Sequence, residues 1–192
     1  FELALKNNYR RDHRHTIIHA FLMSQKSMER CVEHEIGIAA QPAFLHYNLE
    51  PISYLKQLLG DRINELVPFR KMLDMGIHVS GGSDGPVTHP DPMSGVYSAC
   101  NHFQESQSIS VMEALKMFTY QGAWGSFDEH EVGSLEVGKK ANMVVLTADP
   151  LQTKPSKLNT ISVEKMYLNG KQYKKGQKMS SLLWRAVFNR AV

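Results

Sequence analysis

Short apolar stretches alternate with helical patterns over the first 125 residues, and this alternation constrains the fold more than any other feature. Brief β-branched or continuous apolar runs indicate strands, whereas apolar residues spaced three and four apart indicate helices. Strands separated by helices favour the α/β class with a parallel sheet. The predicted strands are residues 15–19, 38–40 and 77–80, and the predicted helices are residues 1–8, 49–59 and the runs after Ser24, Pro68 and Ser110.

Local signals set the expected ends of these elements. Gly37 and Gly76 follow helical patterns where a helix C-cap belongs. Ser110 and Glu113 have the spacing of a capping box, which predicts a helix start. Residues 86–108 are rich in Pro, His and Ser, so we expect a long loop there that could form one wall of a binding or active site.

The character of the chain changes after residue 128, where we expect a second unit that is all β. Residues 143–146 are continuously apolar, which predicts a buried strand. Asn169-Gly170 lies between two further strand patterns and is a strong hairpin signal. The predicted organisation is an α/β part over residues 1–128, an all-β part over 129–180 and a terminal helix over 181–192.

Composition excludes several classes of partner. The formal net charge is only +3, and the basic patch at residues 10–15 has no interleaved aromatic side chains, so we expect no nucleic-acid binding. No apolar run approaches the ~20 residues of a membrane span, so no membrane association is expected. Cys31 and Cys100 form no disulfide framework, which fits a reducing compartment and predicts a cytoplasmic protein.

Polar residues follow the predicted strands at points where chemistry is often placed. His19 ends the first strand, Gln41-Pro42 ends the second, and Asp84 follows the third on a backbone loosened by glycines. In barrels of alternating strands and helices, the strand C-termini form the floor of the active site. Taken alone, Asp84 equally fits a turn residue that caps backbone amides, and His19 fits a buried, hydrogen-bonded histidine.

The ordered set of motifs resembles the amidohydrolase superfamily, and most closely the branch called amidohydrolase family 3. Residues 14–20 (Arg-His-Thr-Ile-Ile-His-Ala) resemble its sixth-strand motif, and residues 82–87 (Gly-Ser-Asp-Gly-Pro-Val) resemble its eighth-strand motif. Gln41-Pro42 matches the Gln-Pro after its seventh strand. Residues 133–141 resemble the return from its barrel into a small β-sandwich. The chain departs from the pattern at Ile18, where the family often has Glu.

The resemblance implies a metal-dependent hydrolase of C–N bonds, amide or cyclic amide. By matching position, His19 would be a metal ligand, and Asp84 would bind metal and transfer protons. The implied cofactor is a divalent metal, with zinc as the first candidate and one or two ions in the complete enzyme. His46 and His89 are further candidates, for contact with a small-molecule substrate, and each equally fits an ordinary loop histidine.

The resemblance also implies that this chain corresponds to the C-terminal part of a TIM (β/α)8 barrel followed by the β-sandwich. A complete barrel takes about 250 residues, so we expect the partner to be an upstream barrel segment or another copy of the chain. Alone, the chain is expected to be inactive. Two other readings stay open: a non-catalytic interaction fragment, and a doubly wound hydrolase with Asp84 as nucleophile, against which the β-rich tail argues.

Overall fold

Three parallel strands form the first sheet, as the sequence predicts. The computed structural model describes residues 1–46 and 50–173. The strands are β1 (Thr16–Ile18), β2 (Gly37–Ala40) and β3 (Val79–Gly81), hydrogen-bonded in that order. Helices α1 (Glu2–Asn7), α2 (Gln25–Glu33), α3 (Ile52–Leu59) and α4 (Phe69–Asp74) precede or connect them, and α5 (Pro92–Cys100), α6 (Val111–Met117) and α7 (Tyr120–Gly125) follow.

The two faces of this sheet differ in what covers them. Ile17, Ile38 and Val79 lie side by side across the strands and pack into the core that the helices form. Residues Ile18, Ala39 and Ser80 lie side by side on the opposite face, which we call the open face. Ile18 is 66% exposed there, although parallel sheets are usually buried on both faces.

Helix α2 begins where the sequence predicts and ends earlier. The Ser24 hydroxyl accepts a hydrogen bond from the Ser27 amide, which caps the helix. The prediction that Gly37 is its C-cap is wrong, because α2 ends at Glu33 and Glu35 takes the left-handed conformation, with φ of 50°. Gly37 instead begins β2 opposite Thr16. The capping box of Ser110 and Glu113 is confirmed at the start of α6.

The prediction of one long loop over residues 86–108 is wrong, because α5 lies within it. Asp91 caps this helix through the Met93 amide, and Pro92 occupies its first turn. Its Ser and Gly residues have low helix propensity, which hides the helix in the sequence. Met93, Val96 and Ala99 are buried in the core, so tertiary packing stabilises a helix that propensity does not.

A slot between two glycines holds the ring of Phe118. A Cβ atom built on Gly95 would lie 2.1 Å from Phe118 Cζ, and one built on Gly81 would lie 2.7 Å from the same ring. Real Cβ atoms do not approach that closely. The absence of side chains at these two positions therefore lets α5, α6 and β3 meet around one aromatic ring.

We expect Gly95→Ala to lower the free energy of unfolding by about 1–3 kcal/mol, because overpacking forces the ring or the backbone to move. Gly125→Ala is the matched control, since a Cβ on Gly125 meets nothing within 4 Å. That variant should be neutral or slightly stabilising. Urea unfolding of the assembled protein, followed by circular dichroism, measures both, and equal stabilities of the two variants would contradict the slot.

The second sheet is antiparallel and open to solvent. Strands β4 (Met143–Leu146), β5 (Val163–Leu168) and β6 (Lys171–Tyr173) pair in that order, and β5 and β6 form the predicted hairpin at Asn169-Gly170. The prediction that residues 143–146 are buried is wrong, because Val144 is 51% exposed. Only Leu146 of this strand packs against the core. The predicted helix over 181–192 lies outside the described residues.

None of the helices in the described part of the chain is long and apolar enough to cross a membrane.

Cys31 and Cys100 are both free and buried, and burial raises the pKa of each thiol, that of Cys100 to about 11.

Arg14 joins the start of β1 to the segment after α7. Its guanidinium donates to both carboxylate oxygens of Glu129, at 2.9 and 2.8 Å, and also bonds Asp12. The guanidinium carbon lies 4.7 Å from the ring centroid of Trp124 and 4.3 Å from that of Phe127. The hydrogen bonds from Arg14 lower the pKa of Glu129 to about 2. The ionised pair therefore stabilises the folded state.

This shift predicts an acid dependence of stability. Because the folded pKa lies below the ordinary 4.5, the stabilisation by Glu129 is complete above about pH 4.5 and is lost as pH falls towards 2. The free energy of unfolding of Glu129→Gln should therefore fall less steeply over that window than that of the parent. Glu105→Gln, at an exposed site, should keep the parent slope. Urea unfolding of the assembled proteins at several pH values tests this, and identical slopes for all three would refute it.

Candidate functional site

His19 is delivered to the carboxyl edge of the sheet by a left-handed turn. The residue directly follows β1, with φ of 69°, and Ala20 follows with φ of 46°. The His19 amide donates to the Ala39 carbonyl at 2.9 Å, which continues the pairing with β2 for one more residue. The backbone thus leaves the strand while it remains hydrogen-bonded to it, and the imidazole stands at the sheet edge.

Asp84 reaches the same edge from β3. The Gly82 amide donates to the Ala40 carbonyl at 2.9 Å, and the chain then turns at Asp84, which has φ of 53°. The Val87 amide donates to the Asp84 carbonyl at 2.8 Å and closes the turn. Asp84 accordingly uses its backbone in the turn, and its carboxylate is left for other partners.

The structure brings the two predicted ligands together. His19 Nε2 and Asp84 Oδ2 are 4.0 Å apart, and the side chains are 44% and 42% exposed. Imidazole nitrogen and carboxylate oxygen are both groups that zinc takes as ligands. Around a tetrahedral ion two such atoms lie closer than 4.0 Å, so the two side chains would close slightly on an ion between them. The residues present therefore fit a divalent cation held between them, in a position that solvent and a small molecule can reach.

Gln41 and Phe44 complete the surroundings of His19. Gln41 Oε1 lies 2.7 Å from His19 Nδ1, on the ring edge opposite the nitrogen that faces Asp84. The Phe44 ring stacks against the imidazole at a centroid distance of 6.0 Å. In the sequence, Gln41 is a strand end and part of the Gln-Pro motif, and neither of these contacts was predicted from it. Its position directly after a parallel strand was the available signal, because such strand ends meet at one edge.

The other two candidate histidines, His46 and His89, have different surroundings. His46 Nδ1 lies 3.0 Å from the Ser98 hydroxyl of α5, and its ring tilts against Tyr97. Burial lowers the pKa of His46, which favours the neutral ring. His89 is exposed on the segment between Asp84 and α5. Their expected contact with substrate stays a prediction.

Within residues 1–46 and 50–173, no group of three or more His, Cys, Asp and Glu side chains is placed to hold a metal ion. Catalytic zinc sites typically use three protein ligands and keep one position open. The pair of His19 and Asp84 alone supplies fewer ligands than such a site uses.

A cavity of about 340 Å³ lies at the opposite end of the strands. It is lined by residues that precede β1 and β3, including Arg14 and His78, and by Trp124 of α7. The His78 and Trp124 rings stack at 3.7 Å, and His78 Nδ1 lies 3.0 Å from Gln121 Oε1. These side chains are therefore engaged in packing and hydrogen bonding.

Known proteins similar to this chain are metal-dependent hydrolases and amidohydrolases. The chain superposes on the crystal structure of an uncharacterised metal-dependent hydrolase of Pyrococcus horikoshii OT3 with a TM-score of 0.66 and 25% identity, covering 80% of this chain and 33% of that one. It is 28% identical over 159 residues to the N-substituted formamide deformylase of Arthrobacter pascens, covering 79% of this chain and 29% of that protein.

The same similarity extends to YtcJ of Bacillus subtilis (strain 168), an amidohydrolase by name, at 28% identity over 165 residues. The match covers 80% of this chain and 31% of YtcJ, so the chain spans about a third of the length of the curated relatives it matches. A model described as the amidohydrolase family matches residues 1–173. The fold is accordingly α/β of the TIM-barrel type, and the chain belongs to the amidohydrolases, in the branch called amidohydrolase family 3.

Proposed function

We propose that this chain carries part of the active site of a metal-dependent hydrolase that cleaves C–N bonds of amides or cyclic amides. The observation that carries the proposal is the pairing of His19 Nε2 and Asp84 Oδ2, 4.0 Å apart where two parallel strands end. The deformylase among the relatives acts, by its name, on N-substituted formamides, which contain such a bond. The superposed Pyrococcus protein is described as metal-dependent.

In this proposal His19 and Asp84 hold a divalent metal, for which zinc is the first candidate, and Asp84 also transfers a proton. A divalent metal held there would supply hydroxide at neutral pH, because it would lower the pKa of a water molecule towards about 7. The Asp84 carboxylate would accept a proton from water and give it to the leaving nitrogen. Its exposed carboxylate and its position on a turn suit both transfers. His46 and His89 are proposed to contact the substrate, a small molecule.

The proposed site needs groups from outside the described residues, because no third ligand lies beside the pair. The open face adds a second reason, since Ile18 is 66% exposed directly before His19. A further barrel segment or another copy of the chain would cover this face and bring ligands to the same edge. The antiparallel sheet would likewise form one half of a β-sandwich. In this proposal the chain comprises a partial barrel over 1–128, a β-sandwich portion over 129–180 and a terminal helix over 181–192.

The proposed location is the cytoplasm, on the ground that Cys31 and Cys100 are both unpaired.

The role of Asp84 predicts the effect of one substitution. In the assembled enzyme, Asp84→Asn should lower kcat on a formamide or cyclic amide substrate by at least ~10²-fold, because an amide cannot accept the proton of water. Thermal unfolding should change little, since Asp84 is exposed and uses only its backbone in the turn. Asp61→Asn, at an exposed site remote in sequence from the pair, is the control and should keep parental kcat. Near-parental turnover of Asp84→Asn would refute the assignment.

The incomplete ligand set predicts how residues 1–192 behave alone. We expect this chain alone to hold less than about one tenth of an equivalent of metal, against one or two ions in the assembled enzyme. It should lack hydrolase activity and show a cooperative thermal transition only in complex with an upstream segment or another copy. Elemental analysis, mass in solution and calorimetry measure these quantities for both preparations.

Two outcomes would contradict the proposal. A well-folded monomer of residues 1–192 that holds a full equivalent of metal would refute the need for a partner. An assembled protein with less than about one tenth of an equivalent of Zn, Fe, Mn or Ni would refute the hydrolase and favour a non-catalytic interaction fragment.

A further inference from the structure

Gln41 bonds His19 through one end of its amide and the backbone through the other. Its Oε1 lies 2.7 Å from His19 Nδ1, and its Nε2 lies 3.2 Å from the Ala39 carbonyl oxygen. The Gln41 residue is 8% exposed, so water competes little for either contact. A carbonyl can only accept a hydrogen bond, which places the amide nitrogen on Ala39 and the amide oxygen on His19.

This orientation fixes the proton on the imidazole. Because Gln41 Oε1 is an acceptor, His19 Nδ1 must be the donor and carry hydrogen. In a neutral imidazole the other nitrogen then holds a lone pair. That nitrogen is Nε2, the atom 4.0 Å from Asp84 Oδ2. The lone pair that a metal requires is therefore directed to the side of the carboxylate.

The Ala39 carbonyl ties the ring to the backbone that carries it. It accepts the amide of His19 at 2.9 Å as well as the side-chain amide of Gln41. The backbone position of His19 and the rotation of its ring therefore depend on one group at the end of β2. Phe44 lies against a face of the ring and further limits its rotation.

We propose that Gln41 is a positioning residue that locks His19 in the Nδ1–H tautomer and aims its Nε2 lone pair towards Asp84. The inference deepens the proposed function, on which its purpose rests, but the tautomer itself is measurable without metal or substrate. Outer partners of this kind fix the tautomer and orientation of ligand histidines, and their loss typically weakens metal binding 10–100-fold.

The test uses three variants in the assembled protein. Gln41→Leu removes the acceptor, Gln41→Glu keeps an acceptor for Nδ1–H, and Gln57→Leu is the control at an exposed glutamine on α3. Long-range ¹H–¹⁵N NMR of metal-free, histidine-labelled protein at about pH 8, where imidazole is neutral, reports which ring nitrogen bears hydrogen. His19→Asn assigns the signal. Zinc titration of the same preparations measures affinity.

We expect the Nδ1–H form of His19 in the parent, in Gln41→Glu and in Gln57→Leu, and loss of that preference in Gln41→Leu. Zinc affinity of Gln41→Leu should fall 10–100-fold, while that of Gln57→Leu should stay unchanged. An Nε2–H signal in the parent would overturn the inference even if Gln41→Leu failed to fold. Unchanged zinc affinity in a Gln41→Leu protein whose tautomer had changed would also overturn it.

The two proposals fail in different ways. A locked Nδ1–H tautomer in a parent protein that binds no zinc would refute the metal-dependent hydrolase while it confirmed the effect of Gln41 on the ring. Full zinc binding with an unlocked tautomer would refute the role of Gln41 and leave the hydrolase proposal intact.

Discussion

The candidate site depends on the hydrogen bonds that the last two carbonyl groups of β2 accept. The Ala39 carbonyl accepts the His19 amide, and the Ala40 carbonyl accepts the Gly82 amide, both at 2.9 Å. Each bond ties the exit of a flanking strand to the central one. Without them His19 and the turn of Asp84 would leave the sheet independently, and the two side chains would no longer be held 4.0 Å apart by the sheet. The strand order, with β2 in the middle, is what makes this possible.

Those bonds also offset strain. His19, Ala20 and Asp84 all have positive φ, a region that residues with a Cβ occupy at a cost of roughly 1–3 kcal/mol each. The cost is tolerated because neighbouring hydrogen bonds and the packed sheet over-determine the turns. In return, both side chains leave the alternating geometry of a strand, in which they would point into or away from the sheet, and stand together at its edge. Strain of this kind concentrates where binding and catalysis occur.

The sequence predicts the strands and their parallel order because buried parallel strands are continuous apolar runs whose connections are helical. It does not reveal α5, since Gly95 and its serines favour no helix in isolation and the stabilising contacts come from Phe118 and the core. It also cannot tell that β4 is exposed, because an apolar run looks the same whether or not its partner is present. For the site, His19 and Asp84 were nominated by the ordered motifs that resemble the family, because each residue taken alone also fits a structural role. The contact of Gln41 with His19 was not predicted, because strand ends indicate which residues share an edge and not which side chains bond there.

The open face of the parallel sheet links assembly to ligand supply. Ile18 lies on that face, and His19 follows it in the chain, so an element that buries Ile18 would lie near the imidazole. Burial of apolar surface at Ile18 would favour association by the hydrophobic effect, and the associating element would approach His19 and Asp84 at the same step. A metal that needs ligands from both partners would then stabilise the association, because it binds the assembled form and not the separate parts. Folding of the parallel sheet and completion of the proposed metal site would in this way be one coupled process rather than two.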